Sequence, residues 1–231
     1  MYEAPKASKR LAYRKNDRFK TFGMYRETDD VRGGMGFEGA AEFEKFVEEG
    51  GLLITLGVAS FFPAEFGISR EVEAHPAPSS FYAPEPLVQA EILRPGHPVF
   101  FGYAGRTLPV RWSGGPLLFV SGAADNADET GHERAVALMR FPGGEANVLS
   151  GLMRGADQIR NRPAIVAAPV GKGRVLLCSI NPIYRWQNFG EHNLVFNALM
   201  FYNDVPVPRR EPSRRSYGRK RLRRNWHHSQ R

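Results

Sequence analysis

Residues 36–60, "GFEGAAEFEKFVEEGGLLITLGVAS", carry three signals in succession. Over 36–49 the apolar residues recur at helical spacing, with Phe43, Phe46 and Val47 on one face. Gly50 and Gly51 stand where a helix usually stops, since glycine enters the left-handed region without a Cβ penalty. "LLITLGVAS" follows at once as an apolar run of strand length. Helix, glycine stop and buried strand in such close order predict an αβ unit of a parallel sheet.

Further along, "AIVAAPV" (164–170) and "RVLLCSI" (174–180) are two more apolar runs on either side of "GKG". The spacing excludes a phosphate loop. A Walker sequence would need glycine at Val166 and a hydroxyl at Gly173, followed by a helix. Two strand-like runs around a short glycine segment predict a β-hairpin, with Gly171 and Gly173 taking positive φ and Lys172 solvated at the turn. Cys178, the single cysteine, falls in the second run and reads as a small buried hydrophobe; it excludes an intrachain disulfide and a multi-cysteine metal site.

Between these stretches the chain is rich in proline from Phe61 to Pro98, with one strand expected at "LVQAEIL" (87–93). Short strands are expected at "VFFGY" (99–103), "LPVRW" (108–112), "PLLFV" (116–120) and "RAVALMRF" (134–141), an antiparallel extension of the sheet. "IYRWQNFGEHNLVFNALMFY" (183–202) predicts a closing helix whose Leu194, Val195, Ala198, Leu199 and Tyr202 dock on the sheet. Residues 1–30 read as an extended, polar lead-in, 31–205 as the α/β domain and 206–231 as a basic, disordered tail.

Of the 231 residues, 42% are hydrophobic, enough for one ordinary core, and no apolar run approaches the ~18 residues of a membrane span. The N-terminal residues carry charges where a secretory signal would be apolar. The formal charge of +8 is unevenly spread: ten Lys or Arg and one Glu lie between Arg209 and Arg231, so the rest is close to neutral. That distribution implies, at most, sequence-independent contact with polyanions through the tail.

Three stretches, "GGMGFEGAAEFEKFVEEGGLLITLGVAS", "RPAIVAAPVGKGR" and "GKGRVLLCSINPIYRWQNFGEHNLVFNAL", resemble the C-terminal domain of large zinc carboxypeptidase A-like proteins of bacteria. That domain is similar to class I glutamine amidotransferases, with a flavodoxin-like fold. The resemblance covers roughly residues 20–203 and is carried by the two ends. It implies a partial flavodoxin-like α/β sheet with an antiparallel extension, lacking its first strands and so left with an unpaired edge that favours association. It also implies that a zinc-bearing peptidase domain precedes this one in such proteins, that full-length relatives are exported, and that this chain is a piece of one or a truncated fold.

Neither parental chemistry has its residues here. None of the six histidines is followed by Glu at the third position, and His132-Glu133 meets Val136 where a second His is needed, so no zinc motif is present. An amidotransferase needs a Cys after "LLITLG" and a later His-x-Glu; this chain has "GVAS" and no His-x-Glu. Ser60 lacks the Gly-x-Ser-x-Gly elbow and reads as a structural hydroxyl. "NADETG" (126–131) reads as an acidic turn, because Ala137 stands where a calcium loop has its bidentate Glu.

The remaining concentration of functional side chains is Arg185, Trp186, Gln187, Asn188, Glu191 and His192, at the start of the closing helix. Open α/β sheets present ligand-binding groups there, while the same residues can equally cap and seat the helix. Arg185, Trp186, Gln187 and His192 are therefore the candidate ligand or partner surface, with no catalytic, cofactor or metal residue expected. The function implied is a non-catalytic accessory domain that contacts a carboxypeptidase-like domain or another protein surface. The alternatives are a metallocarboxypeptidase by parentage and a polyanion binder.

Overall fold

The computed structural model describes residues 12–18, 20, 21, 24, 27–30, 34–120 and 134–204. The acidic turn at 126–131 and the basic tail at 206–231 lie outside these residues. The chain divides into two units, Met1–Phe43 and Glu44–Arg231. In the first, Tyr13 and Thr28 form an isolated antiparallel bridge, beside an Arg14–Asp29 ion pair of 2.8 Å.

Helix α1 (Gly36–Glu48) ends as its sequence predicts. Gly50, at φ 124°, donates to the Val47 carbonyl and Gly51 donates to that of Phe46, the paired bonds of a Schellman closure. The expected shared face is corrected: Val47 is buried, while Phe43 and Phe46 are exposed. Phe46 lies about 100° around the helix from Val47, and its ring lies against Gly51, where a Cβ would come within 2.4 Å of it.

Strand β1 (Leu52–Leu56) follows, then a 3₁₀ turn at Gly57–Ser60 and a short helix α2 (Phe61–Glu65). The other strands are β2 (Val72–His75), β3 (Leu87–Ile92), β4 (Thr107–Arg111), β5 (Leu117–Val120), β6 (Val136–Arg140), β7 (Val148–Ser150), β8 (Pro163–Val170) and β9 (Gly173–Cys178), before helix α3 (Phe189–Met200). Among the described residues the main sheet runs β1-β9-β8-β6-β3-β4, with β7 also on β3. β1 and β9 are parallel, Leu52 opposite Arg174 through Leu56 opposite Cys178, and the other pairs are antiparallel. The fold is thus α/β, a partial parallel sheet with an antiparallel extension, and β1 ends the strand order.

β8 and β9 form the expected hairpin, closed at Val170 and Gly173 around Gly171-Lys172. Only Gly171 takes a positive φ (58°); the expectation for Gly173 is corrected. Gly173 is glycine for another reason: a Cβ there would sit 2.1 Å from the Val47 carbonyl oxygen and 2.2 Å from that of Gly51. Lys172 is exposed, as read.

Alternation along β9 builds two cores. Val175 and Leu177 join Val47, Ile68, Val72, Leu118 and Val166. Leu176 and Cys178 point the other way, to Trp112, Phe141, Ile165, Leu194 and Ala198. Two further expectations change. "VFFGY" is no strand: Pro98–Phe100 is a 3₁₀ turn, initiated by a proline that cannot donate in a ladder. β2 is a strand within the proline-rich stretch, paired with β5 in a separate two-stranded sheet. β4 carries Pro109 at the end of the strand order, where a missing N–H is tolerated.

Candidate functional site

The closing helix begins at Phe189, six residues later than "IYRWQN" suggested. Tyr184–Trp186 is instead a 3₁₀ turn in which Arg185 (φ 49°) and Trp186 (φ 57°) are left-handed. Glu85, the residue facing this turn, is left-handed as well (φ 55°). Non-glycine residues there carry strain of about 1–3 kcal/mol each.

These strained residues meet. The Tyr184 hydroxyl donates to Glu85 Oε1, and this bond is the first cause raising the Tyr184 phenol above its usual value. Arg185 Nη1 lies 3.8 Å from Glu85 Oε2, and Arg111 Nη1 donates to the Glu85 carbonyl at 2.7 Å. Trp186, Phe189 and His192 form a ring cluster with centroids 5.2–6.0 Å apart. Gln187 is exposed, its backbone N–H donating to the Tyr184 carbonyl at 3.2 Å.

Beneath the turn lies a buried carboxylate. Glu191 occupies the first turn of α3, a favourable end of the helix dipole for an acid. Its Oε1 accepts from the Arg111 backbone N–H at 2.7 Å and from Asn188 Nδ2, while Oε2 is buried without a hydrogen-bond partner. Burial pushes its carboxyl up to about 7, partly offset by the bonds from Arg111 and Asn188. Burial first, and the Glu191 charge second, push both Tyr103 and Cys178 up to about 12. Tyr103 donates to the Gly190 carbonyl at 2.6 Å, and Asn188 Nδ2 also donates to the Pro109 carbonyl at 3.2 Å. His192 Nε2 is likewise buried without a partner.

Of the four candidate residues, the structure brings Trp186 and His192 together, turns Arg185 toward Glu85 and leaves Gln187 aside. Asn188 and Glu191 mainly seat the helix on β4. The sequence reading did not reach Glu85, Tyr184, Arg111 or Tyr103. A signal existed for Glu85, which sits between Pro84 and Pro86 in an otherwise unreadable stretch.

The C-terminal ends of β1 and β9, where open sheets place their ligands, are closed by hydrogen bonds. Gly57 N–H donates to the Ile180 carbonyl at 2.9 Å. The Ser60 hydroxyl is fully buried, 3.0 Å from Thr55 Oγ1 and 2.9 Å from the Cys178 carbonyl. Ser179 Oγ donates to the Pro116 carbonyl at 2.6 Å. Nearby, a cavity of about 310 Å³ is walled by Phe61, Phe81, Tyr82, Trp112, Gly114 and Gly115, with no carboxylate, imidazole, thiol or amine in its lining. Among the described residues no group of three or more His, Cys, Asp or Glu is placed to hold a metal ion. Nor is any helix among them long and apolar enough to cross a membrane.

Fold and site together define an α/β domain with a mixed sheet and a strained, aromatic turn at the entry to its last helix. No protein-family model matches the chain, and no curated protein matches it. Among solved structures it is similar to a β-galactosidase from Rahnella sp. R3 (TM-score 0.44, 15% identity, 72% of this chain and 21% of that one). It is similar also to PurLQS from Thermotoga maritima (0.42, 16%, 71% and 68%) and to a ThuA-like protein from Bacteroides uniformis (0.39, 14%, 70% and 62%). The chain thus spans about a fifth of that β-galactosidase.

Proposed function

We propose that this chain is an accessory domain that acts by binding, without catalysis of its own, in association with a zinc carboxypeptidase-like protein. One observation carries the reading. At the turn where an amidotransferase would hold its nucleophile, Ser60 is sealed in the core and committed to Thr55 and to the Cys178 carbonyl. The lone thiol is no substitute: Cys178 is buried and protonated at any ordinary pH, whereas a nucleophilic cysteine needs an accessible thiolate. The polar groups that remain exposed, Arg185 and Gln187 beside Trp186, suit contact rather than bond-making.

The test pairs metal analysis with thiol labelling of the folded chain. The expected outcome is no stoichiometric zinc, no chelator-sensitive carboxypeptidase turnover, and labelling of Cys178 only as fast as the protein unfolds. One tightly held zinc per chain with chelator-sensitive turnover would overturn the reading, as would rapid labelling at neutral pH.

A further inference from the structure

Helix α3 presents large apolar side chains to solvent as well as to the core. A helix at the edge of a domain normally turns its apolar residues inward and its charged ones to water. Here the buried residues are Glu191, His192, Leu194 and Ala198, with the helix's one carboxylate fully buried. The outward stripe is Phe189, Asn193, Phe196 and Met200, at spacings of four, three and four residues. Phe189 is 62% exposed, Phe196 52% and Met200 75%; Leu199 flanks them and Trp186, 71% exposed, stands at their rim. No charged side chain lies on that stripe. Asn197 bonds the Val99 and Phe101 carbonyls, at 3.0 and 2.8 Å, so the helix is pinned with this face outward.

We propose that this face is the interface of a symmetric homodimer, with α3 of one copy packed antiparallel on α3 of the other. The proposal rests on reading the segment from Trp186 onward as a contact surface, and it names the partner. Three features select a second copy. The spacing of the stripe, though not its residues, is the same from either end, so a two-fold axis near its midpoint sets Phe189 against Met200 and Asn193 against Phe196, each contact made twice. The stripe itself carries no charge, so two identical faces meet along it without repulsion. The area is of the right order as well. Trp186, Phe189, Phe196, Leu199 and Met200 expose on the order of 600 Å², taking ~150–250 Å² for a whole large side chain. Phe101, also exposed, lies beside the helix, its carbonyl bonded to Asn197, and extends the patch toward the ~800 Å² per partner of a standard interface.

The test uses the full chain. Sedimentation velocity from 1 to 100 µM is expected to show a species of twice the 25.9 kDa protomer mass. The double variant Phe196→Asp/Met200→Asp alters two exposed positions and is expected to weaken the dimer by about 30-fold or more, the size of a hot-spot loss, with circular dichroism unchanged. Replacing Phe196 by p-benzoylphenylalanine and irradiating is expected to cross-link α3 to α3 of a second copy. A wild-type chain that stays monomeric at 100 µM overturns the proposal, yet leaves this face available to another protein and the accessory reading intact. A dimer that the double variant does not weaken, a cross-link to β1 of a second copy, or one to residues 205–231 of the same chain also overturns it. Zinc-dependent turnover would sink the accessory reading and leave the dimer untouched.

Discussion

The β8–β9 hairpin and the Tyr184–Trp186 turn lie a few residues apart and use glycine in opposite ways. At the hairpin, Gly173 has no positive φ, and glycine is there because two carbonyl oxygens approach too closely for a Cβ. At the turn, the backbone asks for glycine twice and receives Arg185 and Trp186. The first region puts packing before side chain; the second keeps its side chains at a conformational cost. Strain retained in this way is drawn toward sites of use. The two regions should therefore respond to substitution with opposite signs.

The largest effect is expected at Gly173. Gly173→Ala places a methyl group 2.1–2.2 Å from the Val47 and Gly51 carbonyl oxygens, so the end of α1 and the hairpin cannot both stay in place. The cost should be about 3 kcal/mol or more, at the upper end for overpacking. Lys172→Ala, one residue away and solvated, should stay within about 0.5 kcal/mol. Denaturant unfolding of both variants checks this. A Gly173→Ala protein of wild-type stability would remove the packing half of the comparison.

A middle-sized effect is expected beneath the turn, at Glu191. Its folded value of about 7 lies above the ordinary 4.5, so between those limits the native state holds a proton that the unfolded chain has released. Stability therefore falls as pH rises from about 4.5 to 7, by on the order of 3 kcal/mol, and levels off above. Glu191→Gln keeps an acceptor for the Arg111 N–H and should abolish that slope. His97, lowered to about 4 by burial first and Arg174 second, destabilises both proteins as pH falls below 6.5 and cancels in their difference. Melting temperatures of the two proteins from pH 4.5 to 8 should diverge as pH rises, with the variant the more stable. Parallel curves would show that Glu191 is ionised at no cost.

What the sequence made legible follows the same division. The α1 stop, the β1 run and the hairpin were readable because local signal and tertiary role agree there: a glycine pair where a helix ends, apolar runs where strands are buried. The reading failed where a partner distant in sequence decides the outcome. β2 needs β5, some 45 residues away, to be a strand at all. The apolar period puts Leu199 and Tyr202 on the docking face, but both are exposed: the buried stripe of α3 passes through Glu191 instead, and Tyr202 lies beyond the helix. Nothing local marks a carboxylate for the core when the N–H it receives belongs to Arg111. The site was half legible for the same reason. Trp186 and His192 could be picked by their residue types, whereas Glu85 and Tyr184 become neighbours only through the fold.

The smallest effect, and the one most diagnostic of the turn, is expected at Arg185. Its guanidinium is mostly solvated, 3.8 Å from a Glu85 carboxylate that is itself partly exposed, and it lies 5.6 Å from the Tyr184 ring centroid. A pair so long and so wet contributes little. The backbone at φ 49° is the larger quantity. Arg185→Ala removes the side chain and keeps the Cβ that opposes the left-handed conformation. Arg185→Gly removes both, although glycine gives back part of the gain through the greater freedom of its unfolded chain. The glycine variant should therefore be the more stable of the two by about 1 kcal/mol, and at least as stable as the wild type. In most exposed positions glycine is instead the worse choice. Equilibrium unfolding of the two variants side by side decides it. Alanine equal to or better than glycine would mean that residue 185 pays no conformational penalty, and that the turn is held by its contacts rather than against its backbone.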